Sequence, residues 1–247
     1  LILQPQTKKE NYLFLALWGS VGIFQGLGFI ATPDTALLLF CSFFIWRWKK
    51  FIENQNLLNS LLLGLSIALT LYSKYHGIVF IGLAFIPFIP SFYKNIWFWL
   101  SLVFSLVLFI PHLHWQYTHE WPSLKYHLHD RNLKIESRFF FGEWLVGLLA
   151  IANPLLLYFY GKSIFKKSDK KHSWLKSLQW IVVGGIIFFG VIAISRKVQP
   201  QWNLIIYLGI VPLTYYFYKQ RKNTLVIYLE SIYMGLLLVM RILLLLP

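Results

Sequence analysis

The chain of 247 residues is 57% hydrophobic and 19% aromatic, with 13% charged residues and a net charge of +14 at pH 7. A soluble domain is about half apolar and needs far more polar surface at this length, so a single water-soluble core is excluded. The basic excess does not mark a nucleic-acid face either, because the lysines and arginines fall in the gaps between apolar runs, where membrane topology accounts for them.

In chain order, nine apolar segments read at about 12–31, 35–48, 57–72, 77–92, 96–110, 139–160, 178–195, 202–218 and 224–246. Lipid admits only backbone that satisfies its own hydrogen bonds. The predicted fold class is therefore all-α: a polytopic integral-membrane helical bundle of about nine transmembrane segments, one domain over 1–247. Several segments fall short of the ~20 residues of a perpendicular span, so their helices are expected to run past the apolar core or sit within the bundle. In "ATPD", Thr32 predicts an N-cap and Pro33 the first helical position. Pro87 and Pro90 predict a kink or an end in the fourth segment. The long connections are expected at 111–138, an outer-face loop, and at 161–177, a basic cytoplasmic loop. Cys41, alone and within an apolar run, gives neither a disulfide framework nor a thiolate metal site. The sequence opens on Leu1 without a signal peptide, and is expected to be part of a longer protein with further N-terminal helices.

Alternating the connections distributes the cations unevenly. One side receives 15: Lys8, Lys9, Arg47, Lys49, Lys50, Lys94, the six lysines from Lys162 to Lys176, Lys219, Arg221 and Lys222. The other receives seven: Lys74, Lys125, Arg131, Lys134, Arg138, Arg196 and Lys197. Positive-inside bias assigns the first set to the cytoplasm. Asp34, "SKYH" (73–76), the stretch "PHLHWQYTHEWPSLKYHLHDRN" (111–132) and "SRKVQPQW" (195–202) then share the extracytoplasmic side, with every histidine but His172. Any chemistry is expected at that face.

Three uses of the histidine-rich stretch compete. Metal is one: His112/His114 and His127/His129 are each two apart, which on a helix points them about 200° away from each other, so chelation needs extended chain. Asp130 or Glu120 would supply a carboxylate beside His127 and His129. Anion binding is the second: on a helix His127, Asp130 and Arg131 share a face, and Arg suits phosphate. Lys74 and the Arg196–Lys197 pair each follow an apolar segment, where a cation is a functional candidate; Lys134 and Arg138 read better as residues snorkelling to headgroups. Proton relay is the third, and it is poorly served: Glu143 lies near a segment end, and Glu230 and Arg241 are about 16 Å apart along a helix. Trp115, Trp121 and Trp202 belong to an interfacial belt, with stacking on a sugar as a second use.

The motifs "GFIATPDTALLLF", "SIALTLYSKYHGIVF", "PHLHWQYTHEWPSLKYHLHDR", "GEWLVGLLAIANPLLLYF" and "SRKVQPQWNLIIYLGIVPL" follow one another over about 28–213. In that order they resemble the bacterial integral-membrane glycosyltransferases of the GT-C fold, the protein O-mannosyltransferases and lipid A aminoarabinose transferases. The resemblance implies a bacterial inner-membrane enzyme that moves a sugar, with inversion, from a polyprenyl-phosphate carrier to a lipid, glycan or protein acceptor at the extracytoplasmic face. It implies a cationic cavity for the donor phosphate and sugar, to which Lys74, His76, His127, His129, Asp130, Arg131, Arg196, Lys197 and Trp202 are assigned. Asp34, in the family's "tPD" position, takes an orienting role. The catalytic carboxylate of such enzymes usually lies in a first outer loop; nothing before residue 28 supplies an aspartate, so it is expected upstream of Leu1. A divalent metal is an option through His127 and His129. The alternatives are a histidine-lined metal or proton transporter, which would need no lipid donor, and a non-catalytic lipid-binding scaffold.

Overall fold

The computed structural model describes residues 7–27, 31–125, 139–168, 172–219 and 224–245, apart from the side chains of Leu124, Arg241 and residues 244–245. Among the described residues every regular element is a helix, without strands. The apolar segment 12–31 divides at Val21 into α1 (Lys8–Ser20) and α2 (Gly22–Leu27). The third helix, α3 (Pro33–Glu53), starts where the sequence predicts, with Thr32 as N-cap, Pro33 first, and the Thr35 hydroxyl accepting from the Thr32 N–H. Next comes α4 (Leu57–Ser73), capped by Asn56, whose Oδ1 accepts from the Asn59 N–H at 2.9 Å.

Pro87 and Pro90 act as expected: α5 (Gly77–Phe85) gives way to a 3₁₀ turn at Ile86–Phe88 and then to α6 (Ile89–Phe92). The following helix, α7 (Ile96–Thr118), departs from expectation. It passes through Pro111, so residues 111–118 are helix rather than loop. A short turn, α8 (Pro122–Lys125), follows. Residues 126–138 lie outside the description.

Downstream, α9 (Phe141–Ile151) and α10 (Leu157–Phe165) are joined by a 3₁₀ turn at Pro154–Leu156 and bent by 84°. The bend turns on Asn153, at φ 65, ahead of Pro154. Asn153 is fully buried; its Nδ2 donates to Glu230 Oε2 and its Oδ1 accepts from the Leu155 N–H, both at 3.1 Å. Tyr207 and Tyr233 hydroxyls donate to the carbonyls of Leu148 and Ala150, satisfying acceptors that the ending helix leaves over. Because α10 runs to Phe165, the first part of 161–177 is also helical. The remaining helices are α11 (Leu175–Ser195), α12 (Leu204–Tyr218) and α13 (Thr224–Leu245).

The core centres on α12, buried on nearly all sides, as expected of a helix that is apolar all round. It packs against α11, α10, α3 and α1, while α4 packs between α3 and α7. The α4–α7 approach is close: a Cβ on Gly64 would lie 2.6 Å from the Ser101 carbonyl oxygen. Gly64→Ala is therefore expected to destabilise the bundle by about 1–3 kcal/mol, an overpacking cost, in thermal unfolding in detergent. Gly82→Ala, where a Cβ meets nothing within 4 Å, should be neutral or gain up to ~1 kcal/mol from helix propensity.

At one end of the bundle Trp48 sits among Phe51, Phe85, Phe88, Phe92 and Phe98, with ring centroids 4.7–6.4 Å away. Its Nε1 donates to Ser177 Oγ at 2.8 Å, and that hydroxyl donates to the Ala84 carbonyl at 2.7 Å. One indole thus ties α3, α5, α6, α7 and α11 together and fixes the frame that holds the opposite end.

The outside is apolar: Val103, Leu106 and Ile110 of α7 and Leu236, Leu238 and Val239 of α13 are all more than half exposed. By length and composition α7 and α11 can each cross a bilayer, and the bent α9–α10 pair counts as a third if it is one span. Shorter apolar helices occupy Leu57–Ser73, Gly77–Phe92 and Thr224–Met240. The described residues thus form an all-helical bundle with two or three membrane-capable helices by these criteria, against the nine segments read from the sequence.

Candidate functional site

Most of the described candidate residues stand where α3, α5, α9 and α12 begin and where α4, α7 and α11 end. Asp34 is the second residue of α3, and Lys74 is the C-cap of α4. Antiparallel packing of the two helices brings Lys74 Nζ to 2.6 Å from Asp34 Oδ1. The pair is partly buried, with side-chain exposures of 21% and 11%.

Directly after Lys74 the chain folds back on itself. The Gly77 N–H donates to the Lys74 carbonyl at 2.9 Å, and a Cβ at position 77 would lie 2.6 Å from Thr70 Cγ2. Only glycine permits so close a return, and the turn presents Tyr75 and His76 in different directions. The Tyr75 hydroxyl is 2.5 Å from His112 Nε2, and it accepts from Gln116 Nε2 at 2.9 Å. Gln116 is buried and also donates to Ser123 Oγ at 2.7 Å. This network stitches the end of α4 to the end of α7. The helical extension past Pro111 exists to serve it, since His112 and Gln116 are one turn apart on the face toward Tyr75.

His76 packs instead on Trp202, with ring centroids 5.0 Å apart. Trp202 is buried and approaches Phe189, so its ring is a wall of the bundle end rather than an exposed platform. Arg196 caps α11, its N–H donating to the Ile192 carbonyl at 3.0 Å, and Lys197 follows on the surface. Lys197 lines a cavity of about 200 Å³ between the start of α9 and the α11–α12 connection, with Phe140, Glu143, Trp144, Gly147 and Asn203 among its walls. Trp144 Nε1 donates to Asn203 Oδ1 at 2.9 Å, and the Phe140 N–H donates to the Ala193 carbonyl at 3.2 Å, so both walls are tied together. Asn203, a wall of the cavity, follows Trp202, which holds the His76 contact.

The structure therefore gathers Asp34 with Lys74, His76 with Trp202, and Lys197 with a walled cavity, all at one end. His127, His129, Asp130 and Arg131 lie outside the described residues, as do Lys134 and Arg138. Among the described residues there is no group of three histidine, cysteine or acidic side chains able to hold a metal ion. His112 is engaged by Tyr75, and His114 leaves the same helix in another direction. His119 stacks on Trp115, with its Nδ1 2.9 Å from the Trp115 carbonyl oxygen. Glu120 is exposed and pairs with Lys125 at 2.9 Å; that hydrogen bond and charge hold its carboxyl below the usual carboxylate range. These described residues do not make a ligand set.

Glu143, a proton-carrier candidate in the sequence, stands in the first turn of α9 and lines the cavity. Gln116 falls in the stretch that the sequence marks as a connection, and its partners follow from the continuation of α7.

The described residues form an apolar helical bundle with cations, an imidazole, indoles and carboxylates collected at one end. Residues 2–115 match the family model described as dolichyl-phosphate-mannose-protein mannosyltransferase. The match takes in Asp34, Lys74 and His76 and ends within α7, so Glu143, Arg196, Lys197 and Trp202 lie beyond it. The match spans less than half of the chain, so it is residues 2–115 that are similar to that family, while the apolar helices fit an integral membrane protein. No curated protein and no solved structure matches the chain.

Proposed function

We propose that this chain moves a sugar from a polyprenyl-phosphate carrier to a lipid, glycan or protein acceptor, with inversion at the anomeric carbon, at the extracytoplasmic face of a bacterial inner membrane. The observation that carries the reading is the Lys74–Asp34 pair, held at 2.6 Å within the family-matched region and at the same end as His76, Arg196 and Lys197. As the glycosidic bond breaks, the leaving lipid phosphate gains negative charge. A cation fixed beside it stabilises the transition state more than the ground state, which is what accelerates transfer. Asp34 aims the ammonium; without it a lysine side chain would give up rotamer freedom to reach the same position. The His76 imidazole offers a hydrogen bond to phosphate or sugar oxygen without a permanent charge. The uneven cation distribution supports the assignment of this end to the extracytoplasmic side.

The test is a transfer assay on membranes expressing the complete gene, with a panel of polyprenyl-phosphate sugars beside the corresponding nucleotide sugars. Transfer from a lipid-phosphate donor alone is the expected result; transfer that runs from the nucleotide sugar in the absence of polyprenyl phosphate would reject the reading.

A further inference from the structure

We infer that the groove along α10, at the end of the bundle opposite Lys74, is a binding site for an anionic glycerophospholipid. Lys162 and Lys166 hold its phosphate, and the apolar wall of the same helix carries an acyl chain. The groove has a volume of about 650 Å³ and is lined by Leu157, Tyr158, Lys162, Phe165 and Lys166, with Tyr218 at the end of α12. Its two chemistries are sorted along the helix. Tyr158 is 63% exposed and lies toward the Asn153 bend, whereas Lys162 and Lys166 stand at the last turn and the C-cap. Phe165, 86% exposed, borders the cations. Residues 158 and 162 share a face, and the Lys162 ammonium lies 4.3 Å from the Tyr158 ring centroid. Lys166 Nζ lies 4.6 Å from the ring centroid of Phe217. Both ammonium groups are thus drawn onto aromatic rings at this end. The last carbonyls of α10 would oppose an anion, but Gln179 Nε2 of α11 donates to those of Ile164 and Lys166, at 2.8 and 2.7 Å. Among the described residues lining the groove none is acidic.

Charge and polarity choose the occupant. Two lysines four residues apart oppose each other, and an anion between them relieves that repulsion. A free phosphate ion would use the lysines and leave the apolar wall uncovered. A second copy of the chain, paired through this face about a twofold axis, would set lysine against lysine. An acidic peptide would bring backbone donors and acceptors against a wall that cannot satisfy them. A phospholipid of net negative charge uses both parts, with its phosphate at the ammonium groups and a chain along Leu157 and Tyr158 toward the bend. Positive-inside bias gives this end to the cytoplasm, where basic surfaces between membrane helices meet anionic headgroups. The inference is independent of the sugar donor, whose phosphate is assigned to the other end.

The experiment titrates the purified full-length protein in detergent micelles with phosphatidylglycerol or phosphatidylcholine and counts bound lipids by native mass spectrometry. The first phosphatidylglycerol should bind about 25-fold more tightly than phosphatidylcholine, from about fivefold for each lysine at a membrane surface. The double variant Lys162→Gln/Lys166→Gln should reduce that preference to less than about threefold. Lys8→Gln/Lys9→Gln removes as much charge from the same end, where Glu10 meets Tyr215, but outside the groove, and should keep the preference. Gly161→Phe retains both lysines and places a ring in the groove, where a Cβ meets nothing within 4 Å; it should abolish the preference too. Lys162 is exposed and Lys166 partly so, so the lysine variant should unfold at the unmodified temperature, and its result stands whether or not the larger side chain is tolerated. A preference that survives in the lysine variant, or in a folded Gly161→Phe protein, overturns the site. Equal loss in the Lys8/Lys9 variant also overturns it, because the attraction would then be diffuse. So does equal affinity of the unmodified protein for the two lipids, or displacement of phosphatidylglycerol by equimolar inorganic phosphate, which would mark a site for the free ion.

Discussion

Lys74→Met is expected to lower sugar transfer by about 10²–10³-fold, the cost of deleting one preorganised group that faces charge developing in a transition state. The substitution has a second effect that must be separated from the first. It leaves Asp34 largely buried without its counter-charge, which should cost on the order of 1–3 kcal/mol, less than for a fully buried pair because both groups keep some contact with solvent. The double variant Asp34→Asn/Lys74→Met removes both charges and should recover most of that stability while remaining inactive. Asp34→Asn alone keeps the ammonium but loosens its aim, so kcat should fall by about tenfold, between the unmodified protein and Lys74→Met. Thermal unfolding in detergent and initial transfer rates on the four proteins decide the matter. Wild-type transfer by the double variant would show that the pair is a structural clamp between α3 and α4 and nothing more.

Asn153→Ala should be the most damaging single change away from that end. It removes the amide that donates to buried Glu230, leaving an unsatisfied carboxyl oxygen at a cost of ~1–3 kcal/mol. It also forces alanine into a backbone at φ 65, which adds about 1–2 kcal/mol. Asn153→Gly isolates the two contributions, since glycine tolerates the backbone and loses only the amide. The unfolding midpoint is therefore expected to order as unmodified, then glycine, then alanine. If alanine proves as stable as glycine, the 84° bend is held by the tyrosines and by Pro154, not by the conformation of residue 153.

The sequence made much of this architecture legible because the bilayer reduces folding to a few strong rules. Apolar runs located the helices, Thr32 and Pro33 announced the start of α3, and Pro87 and Pro90 announced the break after α5. Two boundaries escaped. Residues 111–118 are polar and rich in histidine, so they read as a connection; they are helical because Tyr75, 37 residues from His112, gives their inward face a partner. The bend at Asn153 did leave a trace, since Asn-Pro favours turn initiation, but it was submerged in a continuous apolar run. At the site, residue types were readable and pairings were not. "ATPD" announced a helix start, and only the resemblance suggested an orienting role for Asp34; nothing local tells which cation it meets, and antiparallel packing brings it to Lys74 across 40 residues.

The Trp48 indole sets a timetable for assembly. Its hydrogen-bond acceptor, Ser177, is made 129 residues later, and the same serine reaches back to Ala84. Loop-closure entropy must be spent before so remote a contact returns anything, and synthesis proceeds at only ~5–20 residues per second. For several seconds the early helices therefore wait in the translocation machinery or the membrane with an indole N–H whose final partner does not yet exist. A truncated translation product that stops short of Ser177 carries that aromatic knot unfinished, and quality-control proteases would meet it in that state.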